Sequence, residues 1–365
     1  MYDIILSFVT AFTLTYFAIP SIIRVALAKN LCDPPKDRGS HHRSIPTLGG
    51  LAIFAGTLFS IIFWTPFNDF GEMQYIVCAF IIIFLIGAKD DIIPMAPNKK
   101  LIGQLFACLI LVFKSKVSIS GLFGILGIYA LPIWASALFS VFIILVIINA
   151  FNLIDGINGL SATIGILITT SLGSWFLLVH HNELAIIAFS LAGALIAFLN
   201  YNFTPARIFM GDTGSMLVGL TCATLVVKFI EYHNINPNGP YSFKAAPAIG
   251  MGLLILPLFD TLRVFVKRSL AGRSPFDADR NHIHHMLIDL GLSHMQATGI
   301  LLLANIFFVI MVATLQDLGN MVAISIMLLV ATLMTSLLFY FYNKQMTAEE
   351  LVSTTKKEDS YLVEQ

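Results

Sequence analysis

Charge is scarce in this sequence: only 12% of the 365 residues are Asp, Glu, Lys or Arg, against 57% hydrophobic, and the mean hydropathy is +0.85. A soluble domain carries about twice that share of charge, so the scarcity excludes a water-soluble globular protein. Acids and bases balance at 21 each, which leaves no basic surface for nucleic acid. The four cysteines, Cys32, Cys78, Cys108 and Cys222, lie within or beside apolar runs with no CxxC spacing. They read as apolar fillers, not zinc ligands or disulfides. The first apolar run has no basic stretch before it and no small-residue cleavage site after it, so it is expected to be a retained span, not a signal peptide. There is no short-period repeat, no soluble domain and no obvious pair of inverted halves, and the last of these weakens a transporter reading.

What the chain does have is long apolar runs. A span needs about 20 apolar residues. By that measure there are about eleven, near 4–28, 48–64, 75–88, 101–113, 131–151, 160–179, 184–199, 215–230, 245–266, 297–315 and 321–342. The third and fourth are short. The stretch from Ser118 to Ala130, rich in Gly, Leu and Ile, reads either as an interfacial helix or as a re-entrant hairpin. The expected fold is thus an all-α, polytopic membrane helical bundle over residues 1–342, followed by a charged, partly disordered tail over 343–365. Lys and Arg accumulate in short cytoplasmic loops. One set of alternate loops, with the tail, holds fifteen of them; the opposite set holds four, Lys114, Lys116, Lys228 and Lys244. This places the N-terminus outside and the tail inside. Arg24 and Arg263 fall within spans near their cytoplasmic ends, where long basic side chains snorkel.

Almost every unusual polar cluster falls on the cytoplasmic side. Asn149-Ala-Phe-Asn152-Leu-Ile-Asp155-Gly-Ile-Asn158-Gly159 interrupts two apolar runs with amides, a carboxylate and glycines. An ionisable residue at the mouth of a membrane helix is costly unless water, a metal or a partner receives it, which marks Asp155 as functional; an ordinary interhelical turn is the alternative. The loop from Asp33 to Gly50 combines Arg38, His41 and Arg43 with rigid Pro and Gly turns and suits phosphates, or is simply a positive-inside loop. Asp90-Asp91 directly follows an apolar run and precedes Lys99-Lys100. Two adjacent acids repel unless a divalent cation, a proton or a lysine is shared between them. Farther on, Phe209-Met-Gly211-Asp212-Thr-Gly214-Ser215 frames an acid with glycines at the start of a span, where free amides suit phosphate. The last loop carries Arg273, Asp277, Asp279, Arg280, His282, His284 and His285. A zinc site lacks further ligands at metal spacing there; an anionic substrate served by donors and a proton-transfer group fits better.

Carboxylates for a divalent metal, cations for phosphates and histidines on one face of a membrane bundle point to phosphoryl transfer, in which the protein mostly positions groups and neutralises charge. So much membrane around the site is economical if one substrate is a lipid whose phosphate waits at the interface.

On the Asp90-Asp91 pair, the NAFNxxDGxxGL segment, the FMGDxGS string and DRNHIHH at 279–285, the chain resembles the polyprenyl-phosphate N-acetylhexosamine-1-phosphate transferase family. It looks most like the bacterial undecaprenyl-phosphate N-acetylglucosamine-1-phosphate transferases. The muramoyl-pentapeptide branch differs in having three consecutive histidines. The resemblance covers roughly Asp33 to His285 and includes Asp33, Pro35, Arg38, His41, Pro46, Gly49 and Gly50 of the first loop. It implies a multi-pass enzyme of the bacterial cytoplasmic (inner) membrane. The implied reaction joins UDP-N-acetylglucosamine (UDP-GlcNAc) and undecaprenyl phosphate to give undecaprenyl-diphospho-GlcNAc and UMP, with Mg2+ or Mn2+. This is the first membrane step of a cell-envelope polysaccharide: O-antigen, common antigen or teichoic acid. Asp212 is then a metal ligand, and Asn152 or Asp155 completes or flanks the metal site. Asp90 deprotonates or orients the lipid phosphate beside Asp91. Phe209 stacks on uracil and Asn202 lies in the nucleoside pocket. Arg43, Lys100, Arg280, His282, His284 and His285 hold the diphosphate, with Lys99 competing for the role of Lys100.

Direct attack by the lipid phosphate is favoured over a covalent aspartyl intermediate, because a phosphate anion is already a nucleophile and alignment is the remaining task. The alternatives are the same transfer with another UDP-N-acetylhexosamine and, in another class, an anion transporter. A transporter predicts charges in mid-membrane, reachable from both sides; here they cluster at one face. A homodimer is left open.

Overall fold

The computed structural model describes residues 1–33, 45–270, 272 and 282–363, with side chains to residue 347. Each of the eleven apolar stretches is helical. In chain order they are α1 (Tyr2–Ala28), α2 (Gly49–Trp64), α3 (Met73–Ile92), α4 (Pro97–Lys114), α5 (Ile133–Ile154), α6 (Leu160–Leu178), α7 (Asn182–Asn202) and α8 (Gly211–Ile235). A broken pair follows, α9 (Ala246–Leu253) and α10 (Ile255–Leu270), then a short α11 (Ile283–Asp289), α12 (His294–Thr314) and α13 (Asn320–Val363). Among the described residues, seven helices are long and apolar enough to cross a membrane, or eight when α9 and α10, bent by 77°, are taken as one span.

The side-chain distribution is that of a bundle in lipid. Along α1 the large apolar residues Ile5, Val9 and Phe17 face outward, while Ser7, Ala11 and Thr15 are buried. Small and hydroxyl residues inside let helix backbones approach closely. Thr15 Oγ1 donates to the Ala52 carbonyl of α2 at 3.2 Å, and the adjacent Gly56 leaves room for that hydroxyl. α8 is the hub: 94% of its membrane-length window is buried, and α5, α3, α2 and α6 all pack on it. Its interior hydroxyls are satisfied within the helix, Thr221 by the Leu217 carbonyl and Thr224 by the Leu220 carbonyl, each at 2.8 Å, as an apolar surrounding demands.

At one end of the bundle α2, α3 and α8 converge without intervening side chains. A Cβ on Gly50 would strike the Gly214 amide, and one on Gly87 would meet the Thr213 backbone. The same approach is fastened by Gly49 N donating to the Phe209 carbonyl at 2.9 Å and Gly50 N to the Met210 carbonyl at 2.8 Å.

Two small antiparallel pairs modify the all-α expectation. β1 (Cys32–Asp33) pairs with β2 (Ile45–Pro46). The stretch read as an interfacial helix or re-entrant hairpin is instead a β-hairpin, β3 (Gly121–Ile125) with β4 (Ile128–Ala130). Of its four left-handed positions, two are Gly124 and Gly127, which adopt that conformation without steric cost, and two are Phe123 and Leu126. Glu231 of α8 anchors it, accepting from Ser120 N at 2.9 Å and Ser120 Oγ at 2.6 Å. α13 continues past Tyr342 into the stretch read as a charged, partly disordered tail, as far as Val363. No Gly or Pro stands between Asn320 and Gln365 to stop a helix.

Gly87→Ala forces a methyl into the Thr213 backbone and is expected to destabilise by about 1–3 kcal/mol, the usual cost of overpacking. Gly71→Ala, which meets open space, is the control. Thermal unfolding in detergent, followed by tryptophan fluorescence, checks both: the first variant melts lower and the second melts as wild type.

Candidate active site

The convergence of α2, α3 and α8 places the adjacent acids of α3 against two different partners. About 100° of helical turn separates neighbouring residues, so Asp90 and Asp91 diverge. Asp91 reaches the N-terminus of α8: Oδ1 accepts from Asp212 N at 2.6 Å, and Oδ2 accepts from Thr213 N at 3.0 Å and Thr213 Oγ1 at 2.5 Å. Helix N-termini leave amides without intrahelical partners, and Asp91 supplies two of those. Gly211, at φ +70°, is required where the chain enters α8, since a Cβ there would strike the Thr47 carbonyl and lie within 2.8 Å of the Asp91 carboxylate. Expected as a catalytic neighbour, Asp91 is in the structure a clamp that orients Asp212.

Asp90 turns the other way. Its Oδ1 accepts from Met95 N at 2.5 Å, and its Oδ2 lies 3.4 Å from Lys100 Nζ. Lys100, in the first turn of α4, also contacts the Asp212 carboxylate directly and lies 3.5 Å from Asn152 Oδ1. Lys99 is exposed and Lys100 is half-buried, so of the two it is Lys100 that lies among Asp90, Asn152 and Asp212. Asn152, in the last turn of α5, donates from Nδ2 to Asp212 Oδ1 at 2.6 Å and to Ser215 Oγ at 3.0 Å. Asp90, Asn152 and Asp212 therefore surround one cation, the Lys100 ammonium.

Among the described residues no group of three His, Cys, Asp or Glu side chains stands ready to hold a metal ion. The oxygen set of two carboxylates and an amide nevertheless suits Mg2+, which keeps several waters and takes the rest of its shell from a few carboxylates and substrate phosphates. The ammonium in their midst shows that the site accepts positive charge.

Asp155 caps the C-terminus of α5. Burial first, then the negative charges of Asp212 and Asp91, hold its carboxyl well above the usual carboxylate range. The loop it opens is tied down on several sides. Gly159 N donates to Asn202 Oδ1 at 2.6 Å, and Asn202 Nδ2 donates to the Ile208 carbonyl at 2.9 Å. Asn202, expected in a nucleoside pocket, is buried and spends its amide on clipping this loop to the one before α8. Phe209, expected to stack on a base, is half-buried, and its backbone pairs with Pro46 and Gly49.

The histidines sit over the same loop. His282 Nδ1 is 2.8 Å from Asp260 Oδ2, and Ile283 N donates to Asp260 Oδ1 at 3.0 Å. The rings of His282 and His284 stack with centroids 5.5 Å apart, and those of His284 and His285 are 4.3 Å apart. His284 is 1% exposed, its Nε2 has no hydrogen-bond partner among the described residues, and that atom abuts Gly156, where a Cβ would collide with it. Burial, followed by the charge of His285, pushes the His284 imidazole down to about 3, so it is neutral at physiological pH. His294 joins the cluster, its Nδ1 lying 3.3 Å from Asn158 N.

The structure thus brings together Asp90, Asp91, Lys100, Asn152, Asp155, Asp212 and the histidines. Arg43 and Arg280 lie outside the described residues. Asp260 and His294 were not among the expected site residues. Asp260 left a signal in the sequence, an acid inside an apolar stretch; His294 left none.

Similar proteins come from bacteria. Glycosyl transferase family 4 matches residues 73–230. The chain is 31% identical to the decaprenyl-phosphate N-acetylglucosaminephosphotransferase of Mycolicibacterium smegmatis, over 79% of this chain and 76% of that one. It is 30% identical to the probable undecaprenyl-phosphate N-acetylglucosaminyl 1-phosphate transferase of Bacillus subtilis, over 87% and 86%. To the undecaprenyl-phosphate alpha-N-acetylglucosaminyl 1-phosphate transferase of Escherichia coli it is 28% identical, over 77% and 75%. With carboxylates, a lysine and an amide gathered at one end of the bundle and similarity along most of its length, the chain belongs to the polyprenyl-phosphate N-acetylhexosamine-1-phosphate transferases of glycosyl transferase family 4.

Proposed function

We propose that the protein transfers N-acetylglucosamine-1-phosphate from UDP-GlcNAc to undecaprenyl phosphate, releasing UMP, at the cytoplasmic face of the bacterial inner membrane. The observation that carries this reading is the ring of Asp90, Asn152 and Asp212 oxygens around the Lys100 ammonium. The named activities of the relatives agree with it. Counting α2, α3 and α4 as spans gives eleven, with the N-terminus outside; the 16 residues of α2 extend about 24 Å. The product then enters synthesis of a cell-envelope polysaccharide.

In this mechanism an oxygen of the lipid phosphate attacks the phosphorus that bears the sugar. The bond from that phosphorus to the oxygen it shares with the uridylyl phosphorus breaks, and UMP leaves. Asp212 and Asn152 would hold Mg2+ or Mn2+, which when bound neutralises the diphosphate. Lys100 places a fixed positive charge beside the transferred phosphoryl group. Asp90 orients the incoming lipid phosphate, and Asp91 keeps Asp212 in place through the α8 amides. His282, His284 and His285 face the diphosphate from above the Asp155 loop, and His284, neutral there, brings no charge of its own. Because the attacking anion needs no general base, positioning and charge neutralisation carry the rate.

UMP release by purified protein with undecaprenyl phosphate and Mg2+, comparing UDP-GlcNAc, UDP-GalNAc and UDP-MurNAc-pentapeptide, tests the class and the donor together. UMP is expected only with lipid phosphate and UDP-GlcNAc both present, and chelation of the metal is expected to stop it. UMP from UDP-GalNAc alone would reassign the donor; none from any donor with folded protein would overturn the reading. Asp212→Asn is expected to abolish release while the protein elutes and melts as a folded species. Asp90→Asn is expected to lower turnover far more than UDP-sugar affinity. Lys100→Gln is expected to lose about a hundredfold in turnover, the scale of removing one transition-state electrostatic contact. Lys99→Gln, at an exposed position, stays near wild type in the same assay.

A further inference from the structure

The bend between α9 and α10 is built from two backbone groups that the helix cannot satisfy. Pro257 has no N–H, so the Leu253 carbonyl four residues earlier loses its helical donor. At the break, Leu256 N–H is aimed away from the helix. Asn305, on α12, meets both: its Nδ2 donates to the Leu253 carbonyl at 3.2 Å, and its Oδ1 accepts from Leu256 N at 3.3 Å. Asn305 is 1% exposed. It borders a cavity of about 190 Å3 whose other walls include Leu256, Phe259, Ile283, Leu287 and Phe308. The lining is almost wholly apolar. Unpaired backbone groups are costly in such surroundings, so the side chain of Asn305 dictates which way α10 leaves the break.

What α10 carries next is Asp260, one turn beyond Pro257. Asp260 is 1% exposed and binds His282 Nδ1 and Ile283 N, together with Arg263 Nη2 at 3.0 Å. It therefore sets both the ring of His282 and the start of α11, and α11 seats His284 against Gly156, beside Asp155. A continuous chain of contacts runs from Asn305 through the bend and Asp260 to the histidines.

On the transferase reading of the site, we propose that Asn305 is a positioning residue: by fixing the bend between α9 and α10 it fixes Asp260, and through Asp260 the histidines that face the diphosphate. It touches no substrate. Its effect is on where the donor's diphosphate is held, and not on the lipid phosphate.

The test combines hydrogen exchange with steady-state UMP release for wild type, Asn305→Leu, Asp260→Asn and the double variant. In Asn305→Leu the amides of Leu256 and of 283–289 are expected to exchange about tenfold faster, as local opening becomes easier. In Asp260→Asn only 283–289 are expected to do so. Unchanged exchange at 283–289 in Asn305→Leu overturns the proposal whether or not the wild type releases UMP. In the activity arm, each single variant is expected to raise KM for the UDP-sugar about tenfold and leave KM for the lipid phosphate unchanged. The double variant is expected to stay within about twofold of the weaker single, because coupled residues are not additive. A fall in kcat alone, with both KM values unchanged, is the mark of a smaller folded fraction and overturns the proposal, as does multiplication of the two single effects. A wild type that releases no UMP counts against the transferase reading, and the exchange arm then judges Asn305 by itself. Should Asn305→Leu not fold, Asn305→Leu with Pro257→Ala, which returns an N–H for the Leu253 carbonyl, is expected to fold and to show the faster exchange at 283–289. Failure of that pair to fold, or native exchange in it, overturns the proposal.

Discussion

The amides that open α8 have no partner within their own helix, and the Asp91 carboxylate takes two of them along with the Thr213 hydroxyl. Hydrogen bonds to a charged acceptor contribute about 1.5–3 kcal/mol each, more than a typical neutral cap. Much else depends on this contact. It requires α3 to end against α8, which requires Gly87 and Gly50 where side chains would otherwise stand. It fixes the peptide of Asp212, and so directs that carboxylate toward Lys100 and Asn152. One acid of an adjacent pair is thereby committed to the α8 amides, while Asp90 turns to Met95 N and Lys100.

Electrostatics around this contact show why the site stays at the end of the bundle and does not sink into it. Burial first, and then the nearby carboxylates of Asp212 and Asp91, hold the Asp155 carboxyl above its usual range. Like charges at such range cannot all ionise in an apolar surrounding. The Lys100 ammonium offsets part of that repulsion. At the opposite end of the helices a separate polar group, Glu72 with Lys116 and Lys228, and Glu231 with Ser120, fastens the β-hairpin. No charged residue links the two groups along the middle of α8, which is the distribution of a one-sided interfacial site and not of a conduit.

The histidine segment reaches the same loop from a different part of the chain. Its orientation is set by Asp260, which lies on a helix whose direction depends on a break and on the amide of a third helix. A short helix such as α11, seven residues long, does not hold a fixed geometry alone. Its precision comes from the acid at its first amide and from the loop glycine beneath His284.

The sequence by itself determined the class of molecule, the helical stretches and the carboxylate and histidine clusters, because burial in lipid demands long apolar runs and leaves any acid or amide among them conspicuous. Asp90, Asp155, Asp212 and the lysine pair were legible for that reason. Tertiary structure alone decided which lysine meets Asp90 and Asp212, that Asp91 accepts the α8 amides, and that Asn202 is a backbone clip. Those outcomes depend on partners 40 to more than 100 residues away in the chain, and local pattern carries no information about such pairings. Asp260 lay between the two cases: its presence in an apolar helix was visible, but its bond to His282 appeared only once the bend of 77° had turned α10 toward α11.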